Sequence, residues 1–428
     1  MIIFLINAII ISTKNNEVKK MFKDLLLKYA RLAALKGINI QKDKMLVINS
    51  PIECSEFARM IAEEAYKAGA CDVVINYNDE KFNKIKYENT STEILAFTPQ
   101  FEKDKYNYYV EEGASFLSIS ASDPDLLKDI DSSKIATVQK SRREALKRYY
   151  EACNSNENAW CIVSVPTKGW AEKVFKDTDS EEAVERLWDA IFTVMRIKED
   201  DPVEAWNRHL KILDKKVREL NDHNFKYLHF KNSLGTDLKV ELVKDHIWCG
   251  GEDTTKNGIE FIANMPTEEV FTTPKMDGVN GIVYSSKPLS YCGNLIDKFS
   301  LTFKDGKVVD CTAETGLDVL KEIIKTDENS CRLGEVALVP YDSPISNSNI
   351  IFFNTLYDEN ASCHLALGSS YPSCIKNGEN MNKEQLLEAK ANSSLAHVDF
   401  MIGTEDTEII GVKEDGTEIP LFKNGNWA

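Results

Sequence analysis

"KMLVINSPIECSEFARMIAEEAYKAGACDVVINY", residues 44–77, decides the architecture of the first half of this chain. "KMLVINS" (44–50) is a compact apolar run of strand length, and "CDVVINY" (71–77) is a second. Between them "CSEFARMIAEEAYKAGA" (54–70) spaces its apolar residues at helical intervals and closes on a glycine, a common helix stop. A strand, a helix and a second strand in that order predict a parallel pair joined by a right-handed crossover.

The same alternation extends outward. Residues 22–36 have helical spacing and end at Gly37. "ASFLSIS" (114–120) and "WCIVSVP" (160–166) predict two further strands, and helices are expected over 124–131, 133–153 and 181–195. The expected first unit is an α/β N-terminal domain, an open, largely parallel sheet flanked by helices. It carries no G-x-G-x-x-G and no P-loop, so nothing in it points to a dinucleotide or a nucleoside triphosphate. A helical stretch, 203–221, leads into the second half.

After about residue 223 the texture changes. "NFKYLHFKNSLGTDLKVELV" (224–243) has two β-rich runs around "SLGTD", a hairpin signal. Further β-type runs occupy 258–264, 281–285, 299–304 (turning at Asp305–Gly306), 335–340 and 395–402. Helices are few: 313–325, 354–358 and 383–391. This predicts an α+β C-terminal domain with a mainly antiparallel sheet. The expected division is 1–20, an N-terminal extension; 21–222, the α/β domain; and 223–428, the second domain. The apolar run "MIIFLINAIIIST" (1–13) is too short to span a bilayer and lacks both a basic leader region and a small-residue cleavage site. It is expected to be a disordered appended tail, or the product of a start assigned before Met21.

A formal net charge of −16 argues against binding to nucleic-acid backbones or to anionic membrane surfaces. Ten cysteines without a C-x-x-C pair predict reduced thiols in a cytosolic protein, and make a thiolate zinc site a poor expectation. Any metal would be held by carboxylate and imidazole.

Such groups interrupt the apolar runs of the second half. In "LAHVDFMIG" (395–403), His397 and Asp399 are two apart, so on a strand they share a face. Glu268 and Glu269 precede Val270–Phe271, Glu335 opens a buried strand, Glu359 and His364 flank a small loop, and Tyr371 follows shortly after. Any one of these could be an ordinary cap or a hydrogen-bonded core residue. Together they leave several acids in apolar segments with no Lys or Arg embedded beside them, Arg332 being the nearest base. Buried carboxylates are costly unless paired or metal-bound. Six candidate ligands (Glu269, Glu335, Glu359, His364, His397 and Asp399) exceed one site. They fit two divalent ions sharing a carboxylate and a water or hydroxide, about 3.5–4 Å apart. That chemistry suits hydrolysis beside a free peptide amine.

"NMPTEEVFTTP" (264–274), "GEVALVP" (334–340), "LYDENASCHLALG" (356–368) with Tyr371 beyond it, and "NSSLAHVDFMIG" (392–403) resemble, in order, the M29 family of metalloaminopeptidases, the thermophilic aminopeptidase type. "EGASFLSISASDPDLL" (112–127) and "SVPTKGWAEKVFKDTDSEEAVERLWDAI" (164–191) are similar to segments of that family too. The resemblance runs from about Met21 to the C-terminus. It implies a cytoplasmic, homodimeric, two-domain exopeptidase with two metal ions per chain in the C-terminal domain. It assigns Glu269 rather than Glu268 as ligand and makes Glu335 the bridging carboxylate. Zinc, cobalt or manganese would suit the donor set. The implied substrates are short peptides with a free N-terminus, attacked by a metal-bound hydroxide.

The resemblance also places the family's active-site tyrosine at Tyr371, as an oxyanion donor or simply a packed aromatic. Glu268 is either a general base or a solvated neighbour. Cys363 is expected to point away from the site, and His209, His223, His229 and His246 to be surface or edge residues without acidic partners. Two other functions fit less of the pattern: a metal-dependent hydrolase of another bond, such as a phosphoester, and a non-catalytic, metal-stabilised binding protein.

Overall fold

The computed structural model describes residues 19–291 and 294–428. The apolar run 1–13 lies outside the described residues. Of the expected extension only 19 and 20 are described, and they already belong to a helix that runs to 32 and ends in a π-turn, Ala33–Gly37.

Four strands form the N-terminal sheet: β1 (Met45–Pro51), β2 (Asp72–Asn78), β3 (Ser115–Ser120) and β4 (Trp160–Ser164). Their order is β2-β1-β3-β4 and every pair is parallel. The helix Ser55–Lys67 joins β1 to β2, as the opening stretch requires, and buries Phe57, Ala58, Met60, Ile61 and Ala65. Both faces of the sheet are covered. Leu46 and Ile48 of β1 enter one core, while Val47 between them enters a second with Tyr106, Tyr109 and Phe116.

Several helices of this half depart from expectation. Residues 124–131 form successive turns, in which Asp123 accepts the Asp125 N–H at 2.9 Å and so offers the backbone an alternative to helix. The stretch 133–153 divides at Leu146 into Ser132–Ala145 and Lys147–Asn154. Helices Glu80–Asn89 and Thr92–Ala96 were not expected; neither buries a residue, so neither has an apolar stripe to betray it. The linking helix is Pro202–His223, capped by Asp201 and stopped at Asn224 in the left-handed region.

The second half holds a nine-stranded sheet and a four-stranded one, with antiparallel pairing throughout. Both expected hairpins are present, Tyr227–Lys231 with Asp237–Leu242 and Asn294–Lys304 with Lys307–Thr315. The run 258–264 yields only Glu260–Phe261, paired with Asp253–Thr254. Residues 313–315, expected to begin a helix, finish a strand, and the helix is Leu317–Ile324.

The four-stranded sheet consists of β5 (Val270–Thr272), β6 (Leu333–Leu338), β7 (His364–Gly368) and β8 (His397–Met401), in the order β8-β7-β6-β5. One face packs onto the large sheet. Val336, Leu338, Leu365, Leu367, Val398 and Phe400 share a core there with Leu228, Val240, Val283 and Phe299. The other face looks toward the N-terminal half. The two halves are also tied together, since the first core takes in Phe261, Ile262, Met265, Phe352 and Tyr357, and Trp170 Nε1 donates to the Phe352 carbonyl at 2.6 Å. Among the described residues no helix is long and apolar enough to cross a membrane, and the nine described cysteines are free.

Candidate metal centre

Strand register assembles the site. Glu335 of β6 lies opposite Ala366 of β7, which lies opposite Asp399 of β8. Residues directly opposite in an antiparallel sheet share a face. His364 is two before Ala366 and His397 two before Asp399, so both join that face. On β5, Phe271 pairs with Ala337, and Glu269 two residues earlier points the same way, which turns Glu268 to the other side. The middle of this face is floored by Ala337, Ala366 and Gly368, small residues that leave the space above them to the ligands.

A β-bulge makes Glu335 available. Leu333 pairs with Leu367 and Glu335 with Ala366, so Gly334 is an extra residue on β6. Simple alternation would put Leu333 and Glu335 on one face. The bulge instead sends Leu333 into the core and aims Glu335 at the site. Gly334 is required here, because a Cβ would lie 2.2 Å from the Ser369 carbonyl oxygen and 2.4 Å from that of Gly368.

The donor atoms form two groups that share one residue. Glu269, Glu335 and His364 make the first, and Glu335, His397 and Asp399 the second; within each, ligand atoms lie within 4.8 Å of one another. His364 Nε2 is 3.0 Å from Glu269 and 4.0 Å from Glu335 Oε1. His397 Nε2 is 3.2 Å from Glu335 Oε2 and 3.4 Å from Asp399. Each histidine turns its Nδ1 to a backbone carbonyl, His364 to Ser362 at 3.2 Å and His397 to Ser369 at 2.7 Å. With Nδ1–H donating there, loss of the Nε2 proton would leave each ring an inward lone pair, the arrangement metal-binding histidines use.

Electrostatics point the same way. Burial, then the charges of Asp399 and Glu269, push the Glu359 carboxyl well above the usual range. Glu335 is raised too, by burial first and by Asp399 and Glu269 among its neighbours, although His397 opposes the rise. Burial alone would discharge His364, but Glu269 beside it overrides this and holds its pKa up at about 10. Four carboxylates thus crowd one largely buried cavity, and Glu269 Oε2 and Asp399 Oδ1 meet no donor other than the neighbouring imidazoles. An excess of buried anionic oxygen with unsatisfied acceptors fits cations of the class that carboxylate and imidazole hold.

Glu359 also lines the cavity, from the turn Glu359–Ala361, though it stands outside both three-residue groups. Tyr371 is 38% exposed, yet its hydroxyl reaches inward to within 3.3 Å of His397 Nε2, and its ring packs edge-on against Phe271. Cys363 is buried on the opposite face, with its sulfur at the Val339 backbone.

Glu268 is not brought to the cavity. It is buried in an ion pair with Arg196 at 2.8 Å, with His209 Nε2 at 3.5 Å, and its own N–H donates to Asn360 at 2.7 Å. Removing one partner of a buried pair costs about 3–5 kcal/mol. Glu268→Gln is therefore expected to lower unfolding free energy by about that amount while metal content is retained, and Arg196→Met with Glu268→Leu to recover most of the loss. Denaturant titration with metal analysis checks this; a fully stable Glu268→Gln chain would contradict it.

Arg196 and Asn360 had no sequence signal, since each acts through a partner far along the chain. Three histidine expectations are corrected. His246 is buried and the His209 side chain only 11% exposed, rather than superficial, because each ring satisfies a backbone carbonyl, Val243 and Thr267 respectively. His229 does have an acidic partner, Asp237 at 2.6 Å, supplied by the hairpin register.

The chain is similar to several known aminopeptidases. It is 49% identical over 401 residues to Aminopeptidase 2 of Geobacillus stearothermophilus, covering 94% of this chain and 97% of that one. It is 47% identical over 407 residues to Aminopeptidase AmpS of Bacillus subtilis (strain 168), covering 95% and 99%. Its fold superposes on the solved structure of wild-type AmpT from Thermus thermophilus with a TM-score of 0.89 at 39% identity, over 95% of this chain and all of that one. Residues 22–427 match the sequence pattern described as thermophilic metalloprotease (M29). The clustered acids and histidines therefore sit in a chain that belongs to the M29 family of metallopeptidases.

Proposed function

We propose that this chain is an aminopeptidase that removes N-terminal residues from short peptides with two divalent metal ions. Glu269, Glu335, Glu359, His364, His397 and Asp399 would hold them, with Glu335 shared. One observation carries this proposal: two donor groups meet at a single carboxylate, with one Glu335 oxygen toward each histidine. Charge balance agrees, because four carboxylates match two dications. The names of the relatives support the substrate class. Zinc, cobalt or manganese suits the donors.

Bound ions would supply Lewis acidity toward the scissile carbonyl and would acidify water in the site. The protein's own groups do the rest. The acids around the cavity favour a substrate ammonium group and disfavour a blocked one. The Tyr371 hydroxyl, at the cavity wall, can donate to the oxygen that gains charge as the carbonyl is attacked. Glu268 serves as a positioning residue, fixing the 267–269 segment through Arg196 and Asn360. Residues 223–428 form the catalytic unit in this proposal, and 21–222 the α/β domain that roofs it. Free thiols support a cytoplasmic setting. A homodimer is proposed from the family resemblance alone.

An aminoacyl anilide with a free amine is expected to be hydrolysed, and its N-acetyl form to be cleaved at least about 100-fold more slowly. Chelator should abolish the activity and added zinc, cobalt or manganese restore it. Equal cleavage of the two anilides overturns the exopeptidase proposal. Phosphoester hydrolysis would favour the first rival function, and bound metal without hydrolysis of any of these substrates the second.

A further inference from the structure

A second cavity, of about 840 Å³, lies apart from the metal ligands. Its wall includes the carboxyl ends of β1 (Asn49), β2 (Asn76) and β3 (Ser118). The chain leaves β1 for β2 on one side and returns to β3 on the other. In open parallel sheets the crevice at that reversal is where ligands bind. This cavity adjoins the one above the metal ligands, and Cys153, Asn154 and Trp160 line both.

Among its polar groups are hydrogen-bond donors with weak partners. Lys105 Nζ donates to Asn76 Oδ1 at 3.3 Å, Asn76 Nδ2 to Asn49 Oδ1 at 3.2 Å, and the Tyr106 hydroxyl to the same Asn49 oxygen at 3.3 Å. All three are long for their type. Lys105 is half-buried, with only the Tyr106 ring, 5.2 Å away, besides Asn76. Among the described residues no carboxylate lies within ion-pair distance of it. Of the other charged groups at the cavity, Arg142 pairs with Glu102 at 3.0 Å, Glu80 accepts from Ser122 at 2.5 Å, and Lys86 is exposed. In a chain of net charge −16, Lys105 is a half-buried ammonium at the cavity wall without an acid beside it, a group suited to an anion.

We propose that this cavity binds the far end of the peptide, with Lys105 taking the C-terminal carboxylate while the amino terminus lies at the metal centre. The proposal rests on the aminopeptidase function and narrows the substrate class to short peptides with a free carboxylate. An extended chain advances about 3.3–3.6 Å per residue, so one peptide length should bridge the two cavities best.

The test uses the metal-loaded enzyme and peptides of about two to six residues, each as the free acid and as the C-terminal amide. At one length the acid is expected to exceed the amide by about tenfold in kcat/KM, the scale of one hydrogen bond to a charged group. In Lys105→Met the acid-to-amide ratio should fall to about one, while Lys105→Arg retains a preference. Lys198→Met, on the surface beside Asp189, should keep the wild-type ratio. The ratio is internal to each protein, so an overall loss in a variant does not imitate the effect. Calorimetric binding of peptides whose first amide is replaced by an uncleavable CH₂–NH link gives the same comparison without turnover. If anilides are hydrolysed but acids and amides are indistinguishable at every length, the subsite is overturned. It is also overturned if the preference survives in Lys105→Met. If no peptide is hydrolysed yet the Lys105-dependent preference in binding persists, the subsite stands and the aminopeptidase function fails.

Discussion

Glu335→Gln is expected to lose both metal ions, whereas Glu269→Gln and Asp399→Asn should each lose one. Glu335 is the only residue common to the two donor groups, and its two oxygens face different histidines, Oε1 toward His364 and Oε2 toward His397. Glu269 and Asp399 each serve one group. Peptide hydrolysis by Glu335→Gln should fall by about 10³-fold or more, because Lewis acidity and acidified water would be lost together. Elemental analysis of protein dialysed against a metal buffer, beside kcat/KM, checks both parts. If all three variants lost the same number of ions, the shared-carboxylate arrangement would be wrong.

Ala366→Leu should empty the site while leaving every proposed ligand in place. Ala366 stands between Glu335 and Asp399, at the centre of the small-residue floor. A leucine there would project into the space the carboxylates surround, and the fully buried β7 has little freedom to withdraw. Overpacking of this kind costs about 1–3 kcal/mol, so the chain should still fold. Metal content should drop toward zero and kcat by about 10²-fold or more, with Ala366→Gly close to wild type. An Ala366→Leu enzyme with two ions and ordinary turnover would show that the floor does not set the room.

Much of the fold was legible because local chemistry and tertiary structure agree. The 44–77 stretch has the right run lengths and a glycine stop, and it folds as read. The turns at "SLGTD" and Asp305–Gly306 announce their hairpins. Illegible elements lacked such agreement: helices Glu80–Asn89 and Thr92–Ala96 bury nothing, and 124–131 looks helical in composition but follows Asp123, which bonds the backbone locally.

The proposed site residues were conspicuous for one physical reason, that an acid inside an apolar run needs a partner. What the sequence could not supply was who faces whom. The Glu335–Ala366–Asp399 row and the floor beneath it exist only through strand pairing. The pairing of Glu268 with Arg196 depends on a contact 72 residues away in sequence. The bulge at Gly334 is the sharpest case, since alternation places Leu333 beside Glu335 and the fold separates them.

That bulge also bears on how such a chain can change over time. Side chains on a strand alternate between faces, so inserting or deleting a single residue within β6, β7 or β8 would exchange the inner and outer faces from that point onward. Many exchanges of one residue for another in the core would be absorbed as small losses of packing. One codon gained or lost would hide the carboxylates and expose the leucines. In these three strands it is length, more than composition, that descent has least freedom to alter.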